Sequence, residues 1–333
     1  MKYLFCGLGS IGQRHLNNLR LLNERDIIAF RNIKSLLQNN QIQIPSYRSL
    51  EEAIKQKPDV AFITNPSIFH IPYALKLAKS SCHLFIEKPL SIDNAGLNEL
   101  TKIAEDKKLI VAVGFMMRFH PAVIQIKKWL NDKLIGFSIT VRMNCSEYLP
   151  LWHPKENYKN SYAGQQKLGG GPINTLSHEI DLVNYFFGKP ESLFAMESRK
   201  SSLNISTEHA VEILFQYRDK LLVEVHLDYL QNPPKRTWEI VGDNGKIEFD
   251  YYSNELKLCV MDKKTLEYKI TKIEYKNNFE RNDMFKDELS DFISSIKNNR
   301  IPKVSLKDGI VNTKLLIAIH QSIKSSKKII INY

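Results

Sequence analysis

A short apolar segment, Tyr3-Leu4-Phe5-Cys6, runs straight into Gly7-Leu8-Gly9-Ser10-Ile11-Gly12 and from there into a helical apolar pattern. A GxGxxG loop between a strand and a helix constrains the fold more than any other feature of the chain. Gly7 permits the tight turn, Gly9 lets the backbone approach a pyrophosphate, and Gly12 lets helix and strand pack closely. The helix N-terminus adds free N–H groups and the positive end of its dipole. Three spaced glycines alone are a weak signal. The strand-loop-helix context at the head of a βαβ series makes it a strong one.

Apolar runs of four to six residues alternate with helical patterns as far as Gly114, the rhythm of a parallel, doubly wound sheet. The expected strands cover residues 3–6, 27–30, 60–63, 84–86 and 110–113. Ile11, His15, Leu19 and Leu22 mark one helical face, and Ala74, Leu75 and Ala78 another. From about Phe119 the rhythm changes. A helix is expected over residues 122–130, with Pro121 at its first position, followed by longer strands such as 135–143, 210–217 and 221–229. Helices over 283–295 and 307–322 and an edge strand at 329–331 close the chain. The fold class is therefore α/β: an NAD(P)-binding Rossmann domain over residues 1–119, then an α+β substrate-binding and oligomerisation domain over 120–333 with an open, mostly antiparallel sheet. The C-terminal helix is placed to pack back on the first domain.

A chain of 333 residues with 43% hydrophobic content can bury two cores. It lacks the roughly 18 uninterrupted apolar residues of a membrane span, and Met1-Lys2 leads directly into a strand, so a cytoplasmic protein is expected. Cys6, Cys82, Cys145 and Cys259 fit neither a CxxC pair nor a metal spacing with the histidines, and no metal is expected. The formal charge of +11 comes from scattered residues with no basic helix, which argues against nucleic acid. It suits an anionic small ligand, a phosphorylated cofactor with a negatively charged or nucleotide-linked substrate; a lysine-rich proteome bias explains it equally well.

About 20 residues past the glycine loop, where a ribose-binding acid is usual, the second strand runs into Arg31. A carboxylate there would hold the 2′-hydroxyl of NAD and repel a 2′-phosphate, whereas a guanidinium can receive that phosphate. NADP is favoured over NAD on this ground. After the fourth strand come Glu87-Lys88-Pro89, which place a lysine at the carboxyl edge of the sheet, where open α/β sheets bind ligands. A cis bond at Pro89 would aim that lysine into the crevice. A lysine at a strand end is otherwise an ordinary solvated one.

Taken in order, GLGSIG, Thr64-Asn65-Pro66, Glu87-Lys88-Pro89, Gly114-Phe115 with Arg118-Phe119, and Gly169-Gly170-Gly171 leading to His178-Glu179-Ile180-Asp181 make a constellation. It resembles the Gfo/Idh/MocA family, the glucose-fructose oxidoreductase and inositol dehydrogenase group, from residue 1 to the C-terminal helix. The resemblance implies a cofactor site of Gly7, Gly9, Ser10, Ile11, Gly12, Arg31, Thr64, Asn65, His70, Glu87 and Lys88. It makes Lys88 the residue that hydrogen-bonds the reacting hydroxyl and His178 the proton acceptor or donor. The chemistry agrees: hydride transfer from a carbinol needs a base for the hydroxyl proton, imidazole titrates nearest neutral pH, and an ammonium stabilises an alkoxide-like oxygen.

Many relatives carry an aspartate four residues before this histidine; here the position is Asn174, expected one helical turn away and facing the same pocket. Asparagine is no base, so His178 works alone, Asn174 only positions substrate, or ordinary dehydrogenase activity is lost. Asp181 is placed to orient the imidazole or to satisfy local polarity. The long loop from Glu147 to Gly171 looks like a segment of a sugar-biosynthesis branch of the family. Its Tyr148, Trp152 and Tyr158 suit a sugar ring and its Lys155, Lys159 and Lys167 a phosphate or carboxylate, unless the aromatics fasten the loop to the sheet or a partner subunit. With Lys88, Arg118, Asn174 and His178, these aromatics form the expected substrate site; Arg118 alternatively lines the inter-domain wall.

The implied activity is hydride transfer between nicotinamide and a sugar hydroxyl or ketone, on an anionic or nucleotide-activated sugar of polysaccharide precursor synthesis, in a homodimer or homotetramer. The alternatives are a redox-neutral NAD-dependent glycosidase and a non-catalytic cofactor sensor, for which Asn174 is the best argument and retention of Lys88 and His178 the objection.

Overall fold

Strands buried on both faces must be apolar throughout, and the first strands are: Tyr3–Cys6 (β1), Ile27–Phe30 (β2) and Val60–Ile63 (β4) carry no charged residue. A computed structural model of the chain describes residues 1–31, 43–154, 157–275 and 279–333. Contacts divide it into two units, residues 1–116 with 281–313, and residues 117–280 with 314–333.

In the first unit β1 leads into α1 (Ser10–Leu21); after β2 come the two-residue β3 (Ser46–Tyr47), α2 (Leu50–Ile54), β4, α3 (His70–Lys79), β5 (His83–Glu87), α4 (Leu97–Asp106) and β6 (Val111–Gly114). The six strands are parallel and ordered β3-β2-β1-β4-β5-β6, the doubly wound order in which the chain reverses direction between β1 and β4. Register sets Cys6 against Ile63 and Glu87 against Gly114, so the loops after β1, β4 and β5 leave one edge of the sheet side by side. Phe5, Phe62 and Phe85 stack through the core at ring distances of 4.8 and 5.1 Å. Phe292 closes it 5.6 Å from Phe85, which brings residues from near the chain end into the first unit's core.

The second unit opens with α5 (Pro121–Asn131), where Pro121 takes the first position and His120 caps the helix by accepting the Ala122 N–H through Nδ1. After β7 (Ser138–Ser146) come α6 (Pro172–Thr175) and α7 (His178–Phe187), then β8 (Ser192–Ser198), β9 (Ala210–Gln216), β10 (Leu222–Asp228), β11 (Lys235–Gly242), β12 (Gly245–Asp250), β13 (Glu255–Met261) and β14 (Tyr268–Glu274). With β15 (Ile329–Ile330), paired to β8 at one edge, they make a nine-stranded sheet in the order β14-β13-β12-β11-β7-β10-β9-β8-β15. Every pairing is antiparallel except β7 with β10. Alternation gives one covered face, with Val141, Met143, Val223, Val225 and Trp238 buried, while Arg142, Glu224 and Leu214 lie on the other. Helix α8 (Arg281–Lys297) belongs to the first unit, and α9 (Leu306–Ser325) begins in it.

The long loop from Glu147 to Gly171 resolves, over its described residues, into three short 3-10 turns at Leu149–Leu151, Tyr158–Asn160 and Gln166–Leu168. Among the described residues no helix is long and apolar enough to cross a membrane, and no group of three or more His, Cys, Asp or Glu residues is arranged to hold a metal ion.

Candidate active site

In the first unit the glycines of the loop divide by what surrounds them. Gly7 has a φ of +104°, and a Cβ there would stand 3.0 Å from the Asn65 nitrogen. A Cβ on Gly12 would stand 2.5 Å from the Gly7 carbonyl oxygen and 2.8 Å from Thr64 Oγ1. The protein's own packing therefore requires both. Among the described residues, Gly9 has no atom of a non-neighbouring residue within 4 Å of its Cβ position. It precedes α1 with no side-chain cap, and the first turn holds no acidic residue, so the N–H groups of Ser10, Ile11 and Gly12 and the positive dipole end are left for an anion. Asn65 Oδ1 is a further buried acceptor without a hydrogen-bond partner. These features fit a dinucleotide laid across the loop.

Thr64 joins the two neighbouring loops, its hydroxyl donating to Gly7 O at 2.7 Å and its N–H to Cys6 O at 3.0 Å. Arg31 ends β2 as expected, but it is only 4% exposed. Its N–H bonds Tyr47 O at 3.0 Å, and its side chain is buried where the sequence presents it as open to a phosphate.

The loop after β5 departs further from expectation. Glu87 Oε1 lies 2.6 Å from His15 Nε2, and Oε2 accepts the Lys88 N–H at 3.1 Å. Both nitrogens of His70 are also engaged, Nδ1 2.8 Å from Pro89 O and Nε2 2.8 Å from Asn65 O. Glu87 and His70, grouped with the cofactor contacts by sequence, thus spend these polar atoms on the protein itself. Lys88 is half-buried and the Lys88-Pro89 bond is cis.

In the second unit His178 is the first residue of α7 and is 7% exposed. Two buried ion pairs hold that first turn. Glu179 Oε1 accepts Arg236 Nε at 2.6 Å, and Asp181 accepts Arg118 Nε and Nη2 at 2.8 and 2.7 Å. Arg118, expected to touch substrate, also lies over the Tyr185 ring at 4.9 Å, with Nε and Nη2 on Asp181. The two acids sit in the first turn of the helix, where the dipole favours negative charge.

Asn174 and His178 are on two helices, α6 and α7, rather than one turn of a single helix. Asn174 Nδ2 donates to the Gly169 and Gly170 carbonyls at 3.2 and 3.3 Å, while Oδ1 is buried without a hydrogen-bond partner. An ionised aspartate would turn oxygen against those two carbonyls, so asparagine suits this loop. Beneath it the Glu208 carboxylate accepts the Ile173 N–H at 3.2 Å, and burial pushes its pKa up.

The loop aromatics fasten to the second unit. Trp152 stands edge-on to Tyr229 at 5.4 Å, Tyr229 hydrogen-bonds the Thr175 hydroxyl, and the Tyr158 hydroxyl donates to Leu203 O at 3.1 Å. Tyr148 is half-buried. Lys159 and Lys167 line an open hollow of about 680 Å³ with Asn204 and Ser206, whereas Lys155 lies outside the described residues.

Sequence reading missed His15, Glu179 and Arg236 as parts of the site. Each left a signal, a titratable residue at a position whose period faces the core: His15 on the apolar face of α1, and Arg236 in step with Trp238 and Ile240 along β11. Buried charges and imidazoles need partners.

Two family profiles match the chain, "Oxidoreductase family, NAD-binding Rossmann fold" over residues 1–115 and "Oxidoreductase family, C-terminal alpha/beta domain" over residues 140–331. The chain is similar to the myo-inositol 2-dehydrogenase of Thermotoga maritima, 22% identical over 344 residues, with 99% of this chain and 98% of that protein covered. Matches to other curated relatives cover as little as 32% of the relative's length. Among solved structures the fold resembles levoglucosan dehydrogenase in complex with NADH and levoglucosan, with a TM-score of 0.86, 18% identity and 100% of both chains covered. It also resembles the WlbA dehydrogenase of Bordetella pertussis in complex with NADH and UDP-GlcNAcA, with a TM-score of 0.82, 17% identity and 100% and 99% covered.

Proposed function

Because the chain belongs to the Gfo/Idh/MocA family of oxidoreductases, we propose that it transfers hydride between a nicotinamide dinucleotide and a sugar carbon, interconverting hydroxyl and ketone. The observation that carries this reading is the glycine loop, where two glycines are demanded by packing and Gly9 is left clear for a ligand, beside a half-buried Lys88 on the same sheet edge. When bound, the nicotinamide accepts or supplies the hydride. Gly7, Gly9, Ser10, Ile11 and Gly12 hold the pyrophosphate, with Thr64 and Asn65 alongside. Lys88 holds the reacting oxygen and His178 takes or returns its proton, with Asn174 shaping the neighbouring loop.

The substrate is an anionic or nucleotide-activated sugar, and the enzyme belongs to polysaccharide precursor synthesis. Support comes from the charge of +11, from the hollow carrying Lys159 and Lys167, and from the likeness to WlbA, whose structure holds UDP-GlcNAcA. Tyr148 and Trp152 offer aromatic faces to the sugar. NADP is preferred to NAD because no carboxylate follows β2 to repel a 2′-phosphate, and the guanidinium of Arg31 suits that phosphate. Binding of NADPH and NADH to the wild type and to Arg31→Ala tests this: a loss of about tenfold for NADPH alone, about 1.4 kcal/mol, supports NADP, and equal affinities sink it. A second copy covers the open sheet face, where Phe194 and Leu214 are paired neighbours and Met196 is 62% exposed. Light scattering on the wild type and on Met196→Glu decides whether a dimer or tetramer forms there.

The activity test incubates the protein with each oxidised and reduced dinucleotide against sugars, sugar acids and nucleotide sugars while following nicotinamide absorbance. Lys88→Ala and His178→Ala are each expected to lower turnover by about 10² to 10⁴. Turnover within a few-fold of wild type in both would remove their roles. Sugar release without net change in reduced cofactor would make the protein a glycosidase.

A further inference from the structure

Lys88 lies between two peptide groups that buried histidines hold. On one side Glu87 accepts the Lys88 N–H through Oε2 and meets His15 Nε2 through Oε1, so the orientation of Glu87 depends on a ring 0% exposed in α1. Gly114 leaves no slack: a Cβ there would press on the Glu87 carboxylate at 3.0 Å. His15 is itself boxed by Phe85 and Phe285, at ring distances of 4.9 and 5.9 Å. On the other side His70, 1% exposed in α3, reaches Pro89 O and Asn65 O, both at 2.8 Å. It therefore ties the loop after β5 to the loop after β4.

We propose that His15 and His70 are positioning residues that together set the main chain at Lys88, His15 through Glu87 and His70 through Pro89, without themselves contacting the dinucleotide. The proposal rests on the reading of Lys88 as the residue at the reacting oxygen. It also changes the part given to Glu87, from cofactor contact to link between His15 and the Lys88 peptide. The chemistry at His70 is demanding. Carbonyl oxygens only accept, so a ring that holds Pro89 O and Asn65 O at once carries a proton on each nitrogen. Burial opposes that charge and lowers the imidazole's pKa, while the carbonyls and the facing Glu87 carboxylate favour it. A neutral ring keeps only one of the two ties.

The test uses the full chain without cofactor and reads amide hydrogen exchange across residues 84–92. In His15→Leu and His70→Leu, exchange at Lys88 and its neighbours is expected to quicken by about tenfold or more, with residues 210–228 in the other unit unchanged. His15→Gln, which keeps a donor for Glu87, is expected to restore most of the protection. His70→Gln, whose two N–H donors sit on one nitrogen rather than on opposite sides of a ring, restores less. NADH and NADPH affinities stay within about threefold of wild type. Unchanged exchange in the leucine variants overturns the proposal, and so does a tenfold loss of dinucleotide affinity with exchange unaltered, which would make the histidines cofactor contacts. Should a leucine variant fail to fold, its glutamine counterpart carries the same measurement: exchange as in wild type at His70→Gln, or no protection in His15→Gln, counts against it. If instead Lys88→Ala turns over like wild type while exchange responds as expected, the cradle stands and the assigned role of Lys88 falls.

Discussion

The two units build their candidate functional groups from different materials. The first works with main chain: three glycines, the N-terminal N–H groups of α1, and carbonyls held by Thr64 and His70. The second works with side chains: two buried ion pairs around the first turn of α7, an asparagine wedged against the Gly169 and Gly170 carbonyls, and a neutral histidine capping α5. A backbone device needs particular residue types at a fixed spacing, so it can be read in one stretch of sequence. The two ion pairs need partners that the fold supplies from 57 to 63 residues away.

The sharpest way to break the comparison is to remove one charge from the second unit. Asp181→Ala leaves Arg118 buried without its carboxylate and is expected to cost about 3–5 kcal/mol in urea unfolding, whereas the double variant Arg118→Met/Asp181→Leu regains most of it. A small loss from the single variant would mean that α7 is held by packing alone.

Acid gives the next largest effect. Burial, with Arg236 nearby, lowers the His120 pKa to about 3, and its Nδ1 must stay unprotonated to accept the Ala122 N–H. The unfolded chain, titrating near the ordinary histidine value of about 6.5, then binds more protons than the folded one, so stability falls as the pH drops below that value. The expected slope from this group is about 1.4 kcal/mol per pH unit down to about pH 3. His120→Asn keeps an acceptor at the cap, and comparing its urea midpoints at pH 6 and 4 with those of wild type isolates the contribution.

Asn174→Asp replaces the donor to the two glycine carbonyls with a carboxylate and is expected to cost about 1–3 kcal/mol above pH 5, recovering as the acid is protonated. Chemical denaturation across that range measures it. In the first unit Gly12→Ala drives a methyl against Gly7 O and Thr64 Oγ1, with an expected loss of about 1–3 kcal/mol and weaker dinucleotide binding. Gly9→Ala meets no atom among the described residues and is expected to change stability by less than about 0.5 kcal/mol, while weakening dinucleotide binding by calorimetry. If Gly9→Ala unfolds the protein like Gly12→Ala, the loop is shaped by packing throughout and the contrast with the second unit narrows.

Much of the first unit's sheet was legible. The five strand positions read from apolar runs agree with the structure to within a residue or two, because a strand buried on both faces must be apolar from end to end. The helix after Pro121 and the edge strand near residue 329 were equally readable, from a proline at the first helical position and an isolated β-branched run. The region from Lys235 to Glu274 was not read as strands. Its four strands, β11 to β14, place charged and apolar residues in turn, and β14 is exposed along nearly its whole length. The sequence singles out Gly7, Gly9, Gly12, Lys88 and His178 because the chemistry needs a residue type at a set place. What the sequence did not show is that Glu87, His70 and Arg118 each also bond another part of the chain.

By itself the sequence determined the doubly wound first unit, the strand-loop-helix that invites a dinucleotide and the change of architecture near Phe119. Each follows from local rules of periodicity, turn geometry and missing Cβ atoms, which act over a few neighbouring residues. Only the tertiary structure decided that residues 281–313 join the first unit, that Arg31 is buried, and that His15, Glu87 and His70 close around Lys88. A buried charge or imidazole must be satisfied by whatever polar atom the fold brings within about 3 Å, and no local pattern says which atom that is.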